Sequence, residues 1–235
     1  ILIMCVVYTT AKVREWNPEE YARYNGAGEK EESANWFVLL KNAPRAFWQV
    51  GLVQFFCWAA FLFMWTYTTG AIAETVWGNT DTASAAYQDA GNWTGILYAV
   101  QAVGSVVWAI VLPRIRKVKL AYALSLVLGG IGFALIPYVH DRYMQFVPFM
   151  LIGCAWAAML AMPFSIVTNA LQGYGHMGAY LGLFNGTICV PQIVAAIVGG
   201  HIMAAIGGTQ SAMMTAAAVS LCLAAFAVCA IKPKQ

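Results

Sequence analysis

The sequence predicts an all-α polytopic membrane protein with six transmembrane helices. Of its 235 residues, 61% are hydrophobic and 10% are charged, whereas soluble domains carry about 25% charged residues. A hydrocarbon core about 30 Å thick requires roughly 20 apolar residues per helix, and six stretches of that kind occur. The predicted spans are 46–73, 93–113, 120–139, 143–169, 178–203 and 211–231.

The segments around these spans define the expected organisation. Residues 1–10 are apolar, too short to span, and lack both an initiator Met and the features of a signal peptide. We therefore expect the tail of a preceding transmembrane helix, and a C-terminal half of a protein about twice this length. Residues 11–45 are predicted to form a cytoplasmic central loop, 46–231 a six-helix transmembrane bundle, and 232–235 a cytoplasmic tail.

Within the central loop, residues 35–42 carry the pattern of a short amphipathic helix. Pro44 follows directly, and a proline ends a helix of this kind. We expect the helix to lie at the membrane interface.

Basic residues are distributed very unequally between the two sides of this layout. Twelve of the thirteen Lys and Arg residues lie on one side, and Arg142 is the exception. Because Lys and Arg accumulate in cytoplasmic loops, the long first loop and the C-terminus are predicted to be cytoplasmic. We expect a multi-pass protein of a bacterial inner (plasma) membrane. The basic residues are explained by topology, so nucleic acid is not an expected partner.

The remaining chemistry-bearing residues do not indicate an enzyme or a cofactor. The six Cys residues lie in apolar segments without metal-ligand spacing, and the three His residues are widely separated. No Ser or Cys stands at a recognisable spacing from a His or a buried acid. We expect no catalytic residue, no metal and no cofactor.

Acidic residues are absent from the middle of every predicted span. Because intramembrane ionisable groups usually carry proton or ion coupling, the coupling site is expected elsewhere in the protein. Glu74 and Asp89 are the nearest acids, at the outer boundary. Glu74 is predicted as a possible outer gate, and the alternative for both acids is a solvated loop position.

Two spans each carry a stripe of polar and aromatic residues with spacings of 4, 3, 4 and 3, which place each stripe on one helix face. Amides donate and accept hydrogen bonds as sugar hydroxyls require, and aromatic rings cover the apolar faces of a pyranose. A sugar-binding cavity and simple bonding between helices both remain open, and the two stripes together favour the cavity. The first stripe is Gln54, Trp58, Phe61, Trp65 and Thr68, and the second is Thr94, Tyr98, Gln101, Ser105 and Trp108.

The fifth span adds further candidates. Asn185 and Gln192 are seven residues apart on one face, and Pro191 precedes the second amide. Transporters tolerate irregular backbone where it lines a cavity. Gly178, Gly182 and Gly186 recur every four residues, which predicts either close helix packing or a sliding surface used in gating.

Segment 182–192, with Asn185, Pro191 and Gln192, resembles the Asn-x5-Pro-Gln signature in helix eleven of sucrose and maltose transporters. These transporters belong to the glycoside-pentoside-hexuronide:cation symporter group of the major facilitator superfamily. Residues 161–164 are similar to the tenth helix of that family, and residues 73–78 to its seventh.

The resemblance implies a twelve-helix fold of two six-helix halves, alternating access, and uptake of a glycoside with a proton. It places Gln54 and Trp58 on helix seven, Gln101 on helix eight, and Asn185 and Gln192 on helix eleven. Two features depart from the family. Residues 63–66 lack the acid that plant members carry there, and the basic loop 113–119 lacks the acid and glycine of the superfamily motif.

The expected function is secondary transport of a sugar, such as maltose or sucrose, by proton symport. Expected partners are the sugar, the proton, the lipid bilayer and an N-terminal six-helix half. Sodium-coupled transport, drug efflux and a transporter-like sensor are the alternatives. The predicted substrate-binding residues are Gln54, Trp58, Trp65, Tyr98, Gln101, Asn185 and Gln192.

Overall fold

The computed structural model describes residues 2–13, 17, 20 and 35–231. Most of the expected central loop and the whole expected tail therefore lie outside the described residues. The basic residues Arg14, Arg23, Lys30, Lys232 and Lys234, which contribute to the predicted orientation, also lie outside them.

The described residues form helices and connecting turns without a β-strand. Six helical segments are long and apolar enough to cross a membrane, which confirms the predicted fold class. Short 3₁₀ turns extend the ends of α4 and α5, at Leu112–Arg114 and Ile136–Tyr138. The helices are α1 Leu2–Lys12, α2 Trp36–Asn42, α3 Arg45–Val76, α4 Ala85–Val111, α5 Val118–Leu135, α6 Phe146–Leu171, α7 Met177–Phe184, α8 Gly186–Ala205 and α9 Gln210–Val228.

The connection between α3 and α4, predicted to lie on the outer side, is shorter than the sequence predicted. Hydropathy placed a loop at 74–92, but α3 continues to Val76 and α4 begins at Ala85. Ser84 caps α4, since its hydroxyl accepts a hydrogen bond of 3.1 Å from the Tyr87 amide. Hydropathy does not detect these helical turns because their residues are polar and lie beyond the apolar stretch of each helix.

The amphipathic helix predicted at 35–42 is present as α2. Asn35 caps it by accepting a 3.0 Å hydrogen bond from the Phe37 amide, and Pro44 directly precedes α3. Leu39 is buried while Trp36 and Phe37 are exposed. The position of α2 at a membrane interface stays a prediction.

Helix α3 is the centre of the bundle and packs against α4, α6, α8 and α9. In the most apolar window of α3, 61% of the residues are buried, compared with 22% in α4 and 17% in the α7–α8 segment. Helices α4 and α8 therefore present broad apolar faces away from the described bundle. In a bilayer such faces meet lipid or other protein.

Glycines let α4 and α6 approach backbone to backbone. A Cβ built on Gly104 would lie 2.6 Å from the Met150 carbonyl oxygen, and one on Gly153 would lie 2.7 Å from the Ser105 amide nitrogen. Side chains at either position would separate the helices. This packing holds the second stripe against α6.

The fifth span is interrupted at Asn185, between α7 and α8. The Asn185 amide donates to the carbonyls of Leu181 and Gly182, both at 3.2 Å, so the helix tightens at this residue. Pro191 lies within α8 and removes one backbone donor six residues later. The irregular backbone that the sequence predicted beside Pro191 is thus found six residues earlier, at Asn185.

Candidate functional site

A cluster of three tryptophans lies at the middle of the bundle, where α3 faces α6. The ring centroids of Trp58 and Trp65 are 6.3 Å apart, and Trp156 lies 6.0 Å from the first and 5.8 Å from the second. Trp58 is 7% exposed, but Trp65 is 44% exposed. Together with the half-buried Trp156 they form an aromatic surface that opens on one side of the bundle.

Two buried donors beside this cluster have no hydrogen-bond partner among the described residues. They are the Gln54 amide nitrogen Nε2 and the Trp58 indole nitrogen Nε1, one helical turn apart on α3. The Gln54 carbonyl Oε1 accepts only a long bond of 3.4 Å from the Tyr122 hydroxyl. A buried donor without a partner costs about 1–3 kcal/mol, which water or a polar ligand would offset.

The first stripe therefore faces protein over most of its length. Gln54, Phe61 and Thr68 are buried inside the bundle, and Trp65 is the exposed member. Thr68 donates to the Met64 carbonyl on its own helix, which satisfies its hydroxyl locally. Both interpretations of the stripe thus find support, since Thr68 has a partner within the helix and the Gln54 amide nitrogen has none.

The second stripe lies against α3, α5 and α6. Tyr98 donates a 3.4 Å hydrogen bond to the Met64 carbonyl of α3, and its ring lies 6.2 Å from that of Phe149. The Trp108 indole donates to the Ser125 hydroxyl at 2.8 Å. Trp108 therefore joins α4 to α5, while Tyr98 lies directly beside the α3 segment between Trp58 and Trp65.

Gln101 is buried on α4, with 6% exposure, where α4 meets Gly153 of α6. No hydrogen bond of its side chain is found within the described part of the chain. Its amide is a further polar group available in the interior.

Asn185 and Gln192 are placed on a different part of the bundle. Asn185 is exposed at the break between α7 and α8, and Gln192 is half-buried. Thr187, next to the break, faces Gly51 of α3, one turn before Gln54. No ring contact or hydrogen bond joins either amide to the tryptophan cluster within the ranges described, so the structure does not bring these predicted site residues together.

Glu74 anchors one helix to the start of another. Its two carboxylate oxygens accept hydrogen bonds from the Gln210 amide at 2.9 Å and the Ser211 amide at 2.8 Å. These amides are free donors at the N-terminus of α9, where the helix dipole also favours a carboxylate. Glu74 thus joins α3 to the start of α9, and the alternative of a free solvated acid does not describe it. Its role as a gate stays a prediction.

A large groove lies on the opposite face of α3 from the first stripe. It has a volume of about 560 Å³ and is lined almost wholly by apolar residues of α3, α8 and α9, including Phe55, Phe63 and Pro191. None of the predicted substrate-binding residues lines it. Its apolar walls are suited to acyl chains or protein, in contrast with the amide-bearing face.

Sequence inspection missed two residues of the candidate site, Trp156 and Tyr122. Trp156 completes the aromatic cluster, and Tyr122 is the fully buried donor to Gln54. Neither belongs to a periodic stripe on its own helix. An aromatic residue in the middle of a span was the only available signal, and it does not reveal the partner helix.

The described residues contain neither a cluster of metal ligands nor a disulfide. No group of three or more His, Cys, Asp or Glu side chains that could hold a metal ion occurs among them. The Cys residues of this part of the chain form no disulfide. The site consists of aromatic rings, amides and hydroxyls.

These features define the class of the protein as an integral multi-pass membrane protein with six candidate membrane-spanning helices. Neither a protein-family model nor a curated protein sequence matches the chain.

Proposed function

We propose that this chain carries half of a sugar transporter that works by secondary active transport. A glycoside such as maltose or sucrose would bind at the tryptophan cluster, with Gln54 as its first hydrogen-bonding partner. The protein would alternate access to the two sides of the membrane, and a proton would move with the sugar. An N-terminal six-helix half would cover the exposed side of the cluster.

The observation that carries this proposal is the pair of unpartnered donors beside the exposed rings. Gln54 Nε2 and Trp58 Nε1 are buried without acceptors among the described residues, and Trp65 opens next to them. Sugar hydroxyls would supply acceptors, and stacking on the indole rings would cover the sugar's C–H faces. The resemblance of segment 182–192 to the helix-eleven signature of sucrose and maltose transporters is a second support.

The absence of acidic residues from the middle of the described helices favours an uncharged ligand. Between 35 and 231 the acids are Glu74, Asp81, Asp89 and Asp141, all at helix ends or in loops at one side. A neutral polar solute fits such an interior better than an ion does. Proton coupling would require ionisable groups in another part of the protein.

The test is uptake of radiolabelled glycosides by proteoliposomes that contain the full-length protein. We expect saturable uptake of maltose or sucrose that rises when the outside is made acidic relative to the lumen. Replacing Trp65 by Ala should reduce uptake at least tenfold, since ring stacking and the exposed aromatic surface are lost together. Absence of saturable uptake for every mono- and disaccharide tested would rule the proposal out.

The same vesicles separate the alternatives. Uptake that is driven by a sodium gradient in place of the proton gradient would indicate sodium coupling. Transport that is inhibited by lipophilic cations but not by sugars would indicate drug efflux. Sugar binding measured by calorimetry without any flux would indicate a sensor.

A further inference from the structure

A second cavity lies at the end of the bundle that carries the basic residues. It has a volume of about 410 Å³ and forms where the first residues of α3 and α5, the last turns of α6 and Ile231, three residues after α9, meet. It lies at the end of α3 opposite to Glu74 and contains none of the predicted sugar-binding residues. Its lining residues are Pro44, Ala46, Val118, Lys119, Ser165, Ile166, Asn169, Ala170, Tyr174 and Ile231.

The lining divides into polar and apolar parts. Lys119 supplies a cation, Ser165 and Tyr174 supply hydroxyls, and Asn169 supplies an amide whose oxygen accepts a 3.3 Å bond from Gln172. The other lining residues are apolar. A ligand with an anionic, hydrogen-bonding head and an apolar body matches this division.

No acidic residue compensates the positive charge at this end within residues 35–231. Six basic residues between 35 and 231 lie at this end of the bundle, whereas the four acidic residues of the same range all lie at the opposite end. Lys119 therefore has no carboxylate to pair with in the described bundle. The basic residues concerned are Lys41, Arg45, Arg114, Arg116, Lys117 and Lys119.

The start of α5 adds to the positive potential of the cavity. Lys117 precedes the helix without capping it through its side chain, so the first amides of α5 are not satisfied by such a cap. The helix dipole places partial positive charge at this end. Val118 and Lys119, the first two residues of α5, both line the cavity.

From these features we propose that the cavity binds the phosphate headgroup of an anionic phospholipid from the leaflet on the basic side. Basic pockets between transmembrane helices are suited to such headgroups. Lys119 pairs with the phosphate, Ser165 and Tyr174 donate to headgroup or glycerol oxygens, and Val118, Ile166 and Ile231 contact the start of the acyl chains. The apolar lining and the position at the helix ends favour a lipid over free phosphate.

The experiment measures lipids bound to the full-length protein by native mass spectrometry after reconstitution with equal amounts of phosphatidylglycerol and phosphatidylcholine. We expect the wild type to retain phosphatidylglycerol preferentially. Lys119→Gln should lower this preference on the order of tenfold, which corresponds to one charge-assisted hydrogen bond, and Lys119→Arg should retain most of it.

Arg116→Gln is the matched control, since it removes the same charge three residues earlier in the chain but Arg116 does not line the cavity. We expect it to change the preference clearly less than Lys119→Gln does. Tyr174→Phe, which keeps every charge, should also weaken retention, and it tests the cavity if Lys119→Gln fails to fold.

Three outcomes would overturn the proposal. Equal effects of Lys119→Gln and Arg116→Gln would mean that general surface charge attracts the lipid. Equal retention of the two lipids by the wild type would mean that no anion-selective site exists. Displacement of phosphatidylglycerol by millimolar inorganic phosphate would assign the site to free phosphate.

Discussion

Two fully buried glutamines of this protein differ in the hydrogen bonding of the side-chain nitrogen Nε2, and this difference has consequences for stability. Gln145 uses its Nε2 to donate to the carbonyls of Ile136 at 3.1 Å and Val139 at 2.6 Å. Gln54 Nε2 has no acceptor within the described residues. The Gln145 Oε1 also lacks a partner among these residues, so an unsatisfied atom alone does not separate the two side chains. Natural proteins keep few buried groups unsatisfied, and Gln54 stands out because its unpaired donor lies one helical turn from the unpaired Trp58 indole nitrogen.

Replacing each glutamine by leucine tests this difference. We expect Gln54→Leu to change the free energy of unfolding by less than about 1 kcal/mol, because relief of the unsatisfied amide nitrogen offsets the loss of the 3.4 Å hydrogen bond from Tyr122. Gln145→Leu should lower it by about 2 kcal/mol, since two hydrogen bonds are lost. Thermal or denaturant unfolding in detergent provides the measurement.

Sugar uptake by the same variants completes the comparison. Gln54→Leu should lose most of its uptake despite its retained stability. A loss of stability equal to that of Gln145→Leu would instead show that Gln54 joins helices, which is the alternative that the sequence left open.

Glu74 illustrates how one residue can have a structural contact and a predicted gating role. Its carboxylate caps α9, so Glu74→Ala should lower the free energy of unfolding by about 1 kcal/mol. The exposed Asp89→Ala serves as a control and should change it by less than about 0.5 kcal/mol. Unchanged stability of Glu74→Ala with abolished uptake would contradict the capping role and favour a gate.

At the scale of helices, the glycines fall into two groups that the sequence does not distinguish. Gly104 and Gly153 bring the backbones of α4 and α6 together, whereas nothing lies within 4 Å of a Cβ built on Gly178, Gly182 or Gly186. The periodic glycines of the fifth span therefore do not pack within the described bundle. Plain packing among the described residues does not account for them, and contact with the proposed N-terminal half remains a prediction.

Alanine substitutions separate the two groups. Gly153→Ala should lower the free energy of unfolding by about 1–3 kcal/mol, because its Cβ would overlap the backbone of α4. Gly182→Ala should leave it unchanged or raise it, since its Cβ meets open space and alanine favours helix. If Gly182→Ala destabilised the protein as strongly as Gly153→Ala, the proposed open face of α7 would be wrong.

At the scale of the whole molecule, basic residues and polar interior groups are segregated. The basic residues of the described bundle collect at one end, apart from Arg142, while its centre contains rings and amides. The guanidinium carbon of Arg142 lies 5.4 Å from the ring centroid of Trp93 and 4.7 Å from that of Tyr143. The one basic residue at the opposite end of the described bundle therefore has aromatic partners. The separation gives the molecule a basic end and a nearly uncharged middle.

The orientation can be measured by labelling single cysteines in a variant without its native ones. A membrane-impermeant maleimide applied to intact cells should label Thr80→Cys, and it should label Arg116→Cys only after the membrane is permeabilised, because basic loops remain cytoplasmic. Both positions are exposed in the structure. The reverse labelling pattern would contradict the predicted orientation.

The sequence by itself determined the number of spans, their approximate bounds and the end that carries the basic residues. These properties depend on local composition, since twenty apolar residues are a span whatever surrounds them. The polar helical turns at 74–76 and 85–92 were missed for the same reason, because hydropathy reports membrane depth and not helix length.

Tertiary structure alone decided which side chains meet. The contacts of Trp58 with Trp156, of Glu74 with Gln210, and of Lys119 with the cavity at the end of α6 join residues far apart in the chain. Helical periodicity assigns a residue to a face of its own helix but does not specify the helix that packs there. That choice depends on side-chain volumes and glycine contacts across the whole bundle, so the cluster, the cap and the basic cavity emerge only once all six long segments are packed together.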